Sequence, residues 1–226
     1  MDKGKELTKD QFGGIIGLAP PSGEEKSNIP SFIQQANQVF SFYLSKGSGS
    51  TGNLKLGGWD LNRFAKSGST DQDIIWTSLV EESEGWTIPM NGVQFKNGTS
   101  MNIKSEQLTL DTGLSYALVP PRDIDDIMLK LSHSNNLSCK KDGYGDLDMF
   151  TCGCSQAQYK EIKPLQLNIA NKLFTLPTEA WMSFTEANKE KECKILMHPY
   201  DISMTATLKW VVGVQFLQNF YSIFDY

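Results

Sequence analysis

The chain has 226 residues, which is enough for one large domain or two small ones. Lys and Arg number 21 against 26 Asp and Glu, and this net charge of −5 argues against a nucleic-acid binder, which would present a basic face. The chain is 39% apolar and 21% charged, so it can bury a core, and no apolar run approaches the roughly 20 residues that a membrane-spanning helix needs.

The N-terminal quarter predicts a short helix followed by a β-hairpin. Apolar residues share one helical face over residues 29–36. Residues 39–45 form an apolar and aromatic strand, the Gly- and Ser-rich residues 46–52 form a turn, and residues 54–56 alternate with period two.

The rest of the chain predicts more strands than helices. An amphipathic helix is predicted to start after Pro120 and Pro121, with Asp123 in its first turn and an apolar face that runs from Ile124 to Leu131. A short helix is predicted to begin at Thr178. Residues 165–169 and 173–176 form a second hairpin with Asn171 in its turn. Further strands are predicted near residues 86–88, 108–110, 208–212 and 220–224. The sequence therefore predicts an all-β fold with a few short helices.

The sharpest local feature is a carboxylate that an alternating strand delivers into a tight turn. Residues 108–110 lead into Asp111, and Gly113 permits a close backbone approach or a positive φ. Thr112 and Ser115 supply hydroxyls that can hydrogen-bond a carboxylate or hold the turn. A carboxylate presented in this way can act as a general acid or base. The tripeptide Asp-Thr-Gly alone is also an ordinary turn.

Further segments make the chain resemble the pepsin-like aspartic peptidases. In that family each lobe has an Asp-Thr-Gly turn, with a hydrophobic-hydrophobic-Gly segment threaded beneath it. Residues 211–213 resemble that segment of the C-terminal lobe, and residues 15–17 resemble that of the N-terminal lobe. Residues 29–45 resemble the helix and strand that follow, and residues 54–60 resemble the family's Leu-Gly-Gly strand end. The match runs in family order over nearly the whole chain.

The resemblance implies a pepsin-like acid protease lobe over residues 58–226 and a remnant of an incomplete N-terminal lobe over residues 1–57. It implies an aspartic endopeptidase that hydrolyses extended polypeptides at acidic pH, by a water activated between two Asp, with no metal and no cofactor. Asp111 would be one of the two catalytic carboxylates. The residues implied to support it and contact substrate are Thr112, Gly113 and Ser115.

The sequence holds one Asp-Thr-Gly, whereas the family has two. In the family the two carboxylates share one proton, because like charges at close range cannot both ionise. We therefore expect little or no peptidase activity from this chain alone, with the second Asp in a missing N-terminal lobe or on a second chain. The alternative is a non-catalytic module that binds peptides or proteins on the same lobe.

Four cysteines in the C-terminal half, Cys139, Cys152, Cys154 and Cys193, suggest disulfides and an oxidising compartment, with three possible pairings. The resemblance implies a Cys152–Cys193 bridge, which leaves Cys139 and Cys154 for a second. A four-thiolate zinc site is the alternative, although Cys-x-Cys spacing is unusual for structural zinc.

The polar N-terminus lacks a signal segment. The resemblance nevertheless implies a secreted, lysosomal or vacuolar protein, and truncation would account for the missing signal.

The remaining motifs are weaker. Residues 113–117 approach a Gly-x-Ser-x-Gly nucleophile turn, but prolines follow where that motif needs a helix. Asn97, in Asn-Gly-Thr, and Asn136, in Asn-Leu-Ser, begin glycosylation sequons.

His133 and His198 are the only histidines and lie far apart in sequence, which argues against a His-based zinc site. His133 is predicted near a helix end, and His198 at the surface or in packing.

Overall fold

A computed structural model describes residues 15–20, 30–47, 51–81, 83–144, 147–187, 190–200 and 208–226. The first residue of the predicted N-terminal helix and part of the predicted 46–52 turn lie outside these ranges. Within them, no helix has the length and apolar character needed to cross a bilayer.

Strands dominate the described residues. The strands are β1 (Val39–Tyr43), β2 (Asn53–Leu56), β3 (Trp86–Pro89), β4 (Gly92–Phe95), β5 (Gln107–Leu110), β6 (Ala117–Val119), β7 (Ser138–Tyr144), β8 (Leu147–Gly153), β9 (Leu165–Ile169), β10 (Lys172–Leu176), β11 (Met182–Ala187), β12 (Glu190–Ile195), β13 (Met197–Pro199), β14 (Lys209–Val212) and β15 (Ser222–Asp225). The α-helices are α1 (Ser31–Gln34), α2 (Leu61–Phe64), α3 (Pro121–Asn135), α4 (Gln156–Glu161) and α5 (Val214–Leu217). The predicted all-β class with a few short helices is confirmed.

The strands form four sheets around one apolar core. Their orders are β15-β1-β2, β10-β9-β4, β11-β12-β8-β7 and β13-β6-β14-β5-β3. In the five-stranded sheet, β14 lies between β5 and β6, although it follows them in the chain by about 100 and 90 residues respectively. A late segment therefore passes through the middle of a sheet built by earlier ones.

Helix α3 is the longest helix of the described residues, and a proline at its start and an asparagine at its end set its bounds. Pro121 occupies the first helical position, where its missing N–H removes no hydrogen bond. Ile124, Ile127 and Leu131 are fully buried on one face, as the 3, 4 and 7 spacing predicts. The helix ends at Asn136, which adopts the left-handed conformation with φ 51°. The predicted start next to the two prolines, with Asp123 in the first turn, is confirmed, and the helix continues for one turn beyond Leu131.

The hairpin of β9 and β10 is confirmed, with a tighter turn than predicted. Ala170 and Asn171 both have positive φ, at 50° and 58°, as the two central residues of a type I′ turn require. Lys172 already pairs with Ile169. The hairpin of β1 and β2 is likewise antiparallel and in the predicted place.

Three predicted elements differ from the structure. The N-terminal helix is reduced to the four residues of α1. The predicted helix at Thr178 is a single 3₁₀ turn, Thr178–Ala180, after which Trp181 is buried. The last strand begins at Ser222 rather than at residue 220. Phe220 still belongs to the turn after α5, because its N–H donates a hydrogen bond to the carbonyl of Leu217.

The four-stranded sheet corrects the predicted disulfide pairing. Strand β8 lies between β7 and β12, so Cys152 is directly opposite both Cys139 and Cys193. The structure joins Cys139 to Cys152 and Cys154 to Cys193, so the Cys152–Cys193 and Cys139–Cys154 pairing was wrong. The sheet order alone leaves Cys139 and Cys193 as possible partners of Cys152, and the bonded sulfur atoms identify Cys139 as the partner. All four cysteines are in disulfides, which is inconsistent with the four-thiolate zinc alternative.

One sheet joins the two predicted domains. Strand β1, from the predicted remnant over residues 1–57, pairs with both β2 and the C-terminal β15. Phe40 stacks on Phe224, with ring centroids 4.8 Å apart, and meets the edge of Trp86 at 5.7 Å. The boundary between residues 57 and 58 stays a prediction, since residues on both sides of it share this sheet.

Candidate active site

The Asp111 turn lies directly against the crossing segment that contains residues 211–213. Strand β14 pairs in parallel with β5, placing Val212 opposite Leu110, and antiparallel with β6, placing Val212 opposite Ala117. The N–H of Asp111 donates to the carbonyl of Val212 at 3.0 Å, which extends the ladder by one residue. The predicted position of residues 211–213 beside the turn is confirmed.

Gly213 is the point of closest approach between the crossing segment and the turn. Its N–H donates to the carbonyl of Tyr116 at 2.9 Å, and the N–H of Val214 donates to the carbonyl of Leu114 at 2.8 Å. A Cβ at position 213 would lie 2.2 Å from the Leu114 oxygen and 2.5 Å from the Tyr116 oxygen. Glycine is required here because any side chain would collide with backbone atoms.

The carboxylate of Asp111 is exposed and oriented by a single backbone donor. The N–H of Gly113 donates to Asp111 Oδ1 at 2.7 Å. Within the described residues, Oδ2 has no hydrogen-bond partner, so it can accept a bond from water or from another group. A Cβ on Gly113 would lie 3.0 Å from Oδ1, which makes close approach the reason for glycine at this position.

The two hydroxyls of the turn do not hold the carboxylate. Thr112 and Ser115 are exposed, and in the part of the chain that the structure describes neither side chain makes a hydrogen bond. They remain available to groups outside the turn.

Ser115 leads into β6 and not into a helix, so the serine-nucleophile alternative lacks its strand-turn-helix geometry. His198 is buried, with its ring centroid 5.5 Å from that of Tyr116.

Asp123 supports the site, although the sequence analysis predicted only its place in the first turn of a helix. It is fully buried, and its Oδ2 accepts from Trp210 Nε1 at 3.0 Å and from Ser105 Oγ at 2.6 Å. The N–H of Ser105 also donates to Oδ2, and the N–H of Lys104 donates to Oδ1 at 2.7 Å. Because Trp210 lies on β14, Asp123 fixes the segment that reaches Asp111. No local pattern identifies this role, since Ser105 and Trp210 are 18 and 87 residues away.

A tyrosine fixes the start of the same crossing segment. The hydroxyl of Tyr200 donates to the carbonyl of Lys209, the first residue of β14. Burial raises the pKa of Tyr200, the hydrogen bond to Lys209 lowers it, and the negative charge of Asp123 raises it further.

The large apolar cavity of the molecule lies behind the Asp111 strand. It measures about 530 Å³, and its walls include Leu110, Trp86 and Ile88. Successive residues of a strand point to opposite faces, so Leu110 and Asp111 face opposite sides of the sheet. Asp111 is not among the residues that line this cavity.

The second hydrophobic-hydrophobic-Gly segment differs from the first in its surroundings. Ile15 and Ile16 are 78% and 67% exposed. A Cβ added to Gly17 would meet nothing within 4 Å, in contrast to the collision at Gly213. In the described part of the chain, no second carboxylate hydrogen-bonds to Asp111.

Comparison with known proteins assigns the chain to a family. The family model described as eukaryotic aspartyl protease matches residues 2–226. The chain is 25% identical to Renin-2 of Mus musculus over 95% of this chain and 51% of that protein. It is 26% identical to Pepsin-2B of Gadus morhua, over 95% of this chain and 60% of that protein.

Other matches also cover most of this chain and about half of the matched protein, and a solved structure shares its fold. Aspartic-type endopeptidase ctsD of Aspergillus fumigatus is 26% identical over 94% of this chain and 42% of its own length. The crystal structure of the aspartic proteinase from Irpex lacteus superposes with a TM-score of 0.60 at 18% identity, over 84% of this chain and 54% of that one. The chain thus spans about half the length of the relatives it matches.

Proposed function

The chain belongs to the eukaryotic aspartyl protease family, and on that premise we propose that it supplies one of the two catalytic carboxylates of an aspartic endopeptidase. Asp111 is that carboxylate. Its substrate is a polypeptide in an extended conformation, which Thr112, Gly113 and Ser115 contact at the turn. The pepsin-like fold and the family match support this assignment.

The observation that carries the proposal is the construction of the Asp111 turn. An exposed carboxylate is aimed by the N–H of Gly113 at 2.7 Å, over a segment in which Gly213 permits contact between two backbones. Such rigid placement is what a general acid or base requires, because misplacement of the reacting group costs rate. A turn that served only as a connection would not need this support.

Peptide hydrolysis in this family type needs a pair of carboxylates in unlike protonation states. The ionised one takes a proton from water as the water oxygen attacks the peptide carbonyl, and the protonated one donates to the carbonyl oxygen. The chain has one Asp-Thr-Gly, so the second carboxylate comes from another part of the whole protein or from a second chain. The exposed Ile15 and Ile16 and the open side of Gly17 are consistent with a missing partner for that segment. The chain alone is therefore inactive or nearly so.

The proposed location is the secretory route, ending outside the cell or in a lysosome or vacuole. The disulfides Cys139–Cys152 and Cys154–Cys193 support it, because disulfides form and persist in oxidising compartments. An acidic destination would also suit an enzyme whose dyad shares one proton.

The test is cleavage of an extended, internally quenched peptide between pH 3 and 6. The 226-residue chain is assayed alone, as is the longest natural protein that contains it. Each is compared with Asp111→Asn and with Asp125→Asn, an exposed carboxylate on α3 that serves as the matched control. We expect no turnover by the chain alone, and turnover by the longer protein that Asp111→Asn abolishes and Asp125→Asn preserves.

The other outcomes identify the alternatives. Cleavage by the chain alone, with a native mass of two copies, would assign the second carboxylate to another copy. Saturable peptide binding without cleavage by any form would favour a non-catalytic binding module. Cleavage that survives Asp111→Asn would remove Asp111 from the mechanism.

A further inference from the structure

We propose that Asn97 and Asn136 are acceptor sites for N-linked glycans. Each begins an Asn-x-Ser/Thr triplet, in which Thr99 and Ser138 supply the hydroxyl. Both asparagines are exposed on the folded chain. The inference rests on the secretory location proposed above and is independent of the catalytic role of Asp111.

Asn97 sits in a tight turn that modification leaves intact. Its Oδ1 accepts from the N–H of Thr99 at 3.1 Å, and the N–H of Gly98 donates to the carbonyl of Phe95 at 2.8 Å. Gly98 has φ 89°, so the turn depends on glycine. Among the described residues, the Asn97 Nδ2 group has no hydrogen-bond partner. A glycan on Nδ2 leaves Oδ1 in place, and the turn keeps its side-chain bond.

Asn136 occupies the surface corner between α3 and β7. It is the residue at which α3 ends, with φ 51°, and Ser138 is the first residue of β7. Both residues are exposed, and within the described ranges the side chain of Asn136 makes no hydrogen bond. The amide is therefore presented outwards from a position that ordered elements fix on both sides.

A disulfide next to the Asn136 sequon indicates an oxidising compartment, of the kind in which glycosylation occurs. Cys139 immediately follows Ser138 and is bonded to Cys152. Formation of that bond requires an oxidising lumen or exterior, which is the route along which sequons are modified. The same segment therefore contains both a glycosylation acceptor and a disulfide, and both are typical of proteins on the secretory route.

The covalent step needs a lipid-linked oligosaccharide as donor. A bond forms between Asn Nδ2 and the anomeric carbon of the sugar, while the bond from that carbon to the lipid pyrophosphate oxygen breaks. The amide nitrogen loses one proton, and the lipid pyrophosphate leaves. Neither asparagine belongs to β5, β6 or β14, so a glycan at either position is outside the strands that build the Asp111 turn.

The chain contains a matched negative control. Asn91 is also exposed and also precedes a glycine, but the third residue of its triplet is Val93. In addition, its Nδ2 is engaged, since it donates to Asn171 Oδ1 at 3.0 Å. Asn91 therefore tests whether an exposed Asn-Gly pair is glycosylated without the hydroxyl of the third residue.

The experiment is expression of the full chain behind a cleavable secretory signal peptide in eukaryotic cells, followed by treatment of the secreted protein with peptide-N-glycosidase. We expect a gel mobility shift equal to two glycans, and peptide masses in which residues 97 and 136 have become aspartate. Asn97→Gln and Asn136→Gln each remove one glycan, the double variant removes both, and Asn91→Gln removes none. Thr99→Ser keeps the glycan at Asn97, whereas Thr99→Ala abolishes it.

A variant that fails to be secreted is assayed instead after translation into microsomes, where attachment is read without secretion. A wild-type chain without a glycosidase-sensitive shift in either system overturns the proposal. Sugar on one asparagine alone overturns it for the other. A sugar-free chain that still supports Asp111-dependent cleavage in the longer protein would leave the peptidase proposal standing, and a glycosylated chain whose longer protein cleaves nothing would do the reverse.

Discussion

The buried carboxylate of Asp123 supports a quantitative prediction about how the crossing segment is held. Four donors converge on it: the backbone N–H groups of Lys104 and Ser105, the Ser105 hydroxyl and Trp210 Nε1. Asp123 is 0% exposed, Ser105 3% and Trp210 1%, so water cannot replace a lost partner without opening the fold. Two oxygens that only accept satisfy all four donors.

Two substitutions divide this network in different ways. Asp123→Ala orphans the two backbone N–H groups and the indole N–H, while the Ser105 hydroxyl can rotate to another acceptor. At about 1–3 kcal/mol for each buried unsatisfied donor, and allowing for partial relaxation, we expect a loss of about 4 kcal/mol. Asp123→Asn can place its amide oxygen where Oδ2 lies and keep three of the four bonds. Its amide group then faces the Lys104 N–H, and we expect a loss of about 2 kcal/mol.

The assay is urea unfolding of the chain with its disulfides intact. The change in stability is measured as a shift in the midpoint urea concentration, with the dependence of the free energy of unfolding on urea concentration unchanged. Asp125→Ala, an exposed carboxylate on the same helix, is the control and should change the free energy of unfolding by less than about 0.5 kcal/mol. In a Trp210→Phe background, the cost of Asp123→Ala should fall by about 1 kcal/mol, because one donor is already gone. Equal costs for Asp123→Ala and Asp123→Asn, or costs below about 1 kcal/mol for both, would refute the network as described.

Three other predictions follow from single contacts. Gly213→Ala should destabilise the chain by more than about 3 kcal/mol, since its Cβ would lie 2.2 Å from a carbonyl oxygen, whereas Gly17→Ala meets nothing within 4 Å and should be nearly neutral in the same unfolding assay. Burial raises the pKa of Tyr200, a contribution to stability that is present below about pH 10 and is lost as the pH rises through the folded-state value, so Tyr200→Phe should reduce the loss of stability measured above pH 10. The backbone N–H and hydroxyl of Thr70 lower the pKa of Asp73, and Thr70→Ala should move the pKa of that carboxyl part of the way back in an NMR titration.

Elements whose cause is local could be predicted from the sequence. The β9–β10 hairpin follows from two apolar runs around Asn171, and α3 follows from the spacing of Ile124, Ile127 and Leu131. The Asp111 turn follows from the alternating strand and the Asp-Thr-Gly that ends it, and in these three cases the residues that determine the structure are neighbours in the chain. The crossing segment at residues 211–213 lies about 100 residues further on, and its place beside the turn was expected only from the resemblance.

Elements whose cause is a distant partner could not be predicted. Strands β7 and β12 are rich in charged residues and lack an apolar period, so their pairing with β8 decides that they are strands. The same pairing puts Cys152 between Cys139 and Cys193, and neither neighbour can be identified from the sequence alone. Asp123 belongs to this class as well, because its donors are brought to it by two other segments.

The two hydrophobic-hydrophobic-Gly segments give physical grounds for regarding the chain as one side of a two-part site. Around Gly213 the segment is enclosed, and its N–H groups are paired with the turn that carries Asp111. Around Gly17 the equivalent residues are open, with Ile15 and Ile16 largely exposed. Ile15 and Ile16 are already partly covered, so burying the rest of these two side chains would contribute about 2–4 kcal/mol towards docking of a second turn over them. A turn docked there with its own carboxylate would supply the unlike protonation states that one exposed aspartate cannot provide.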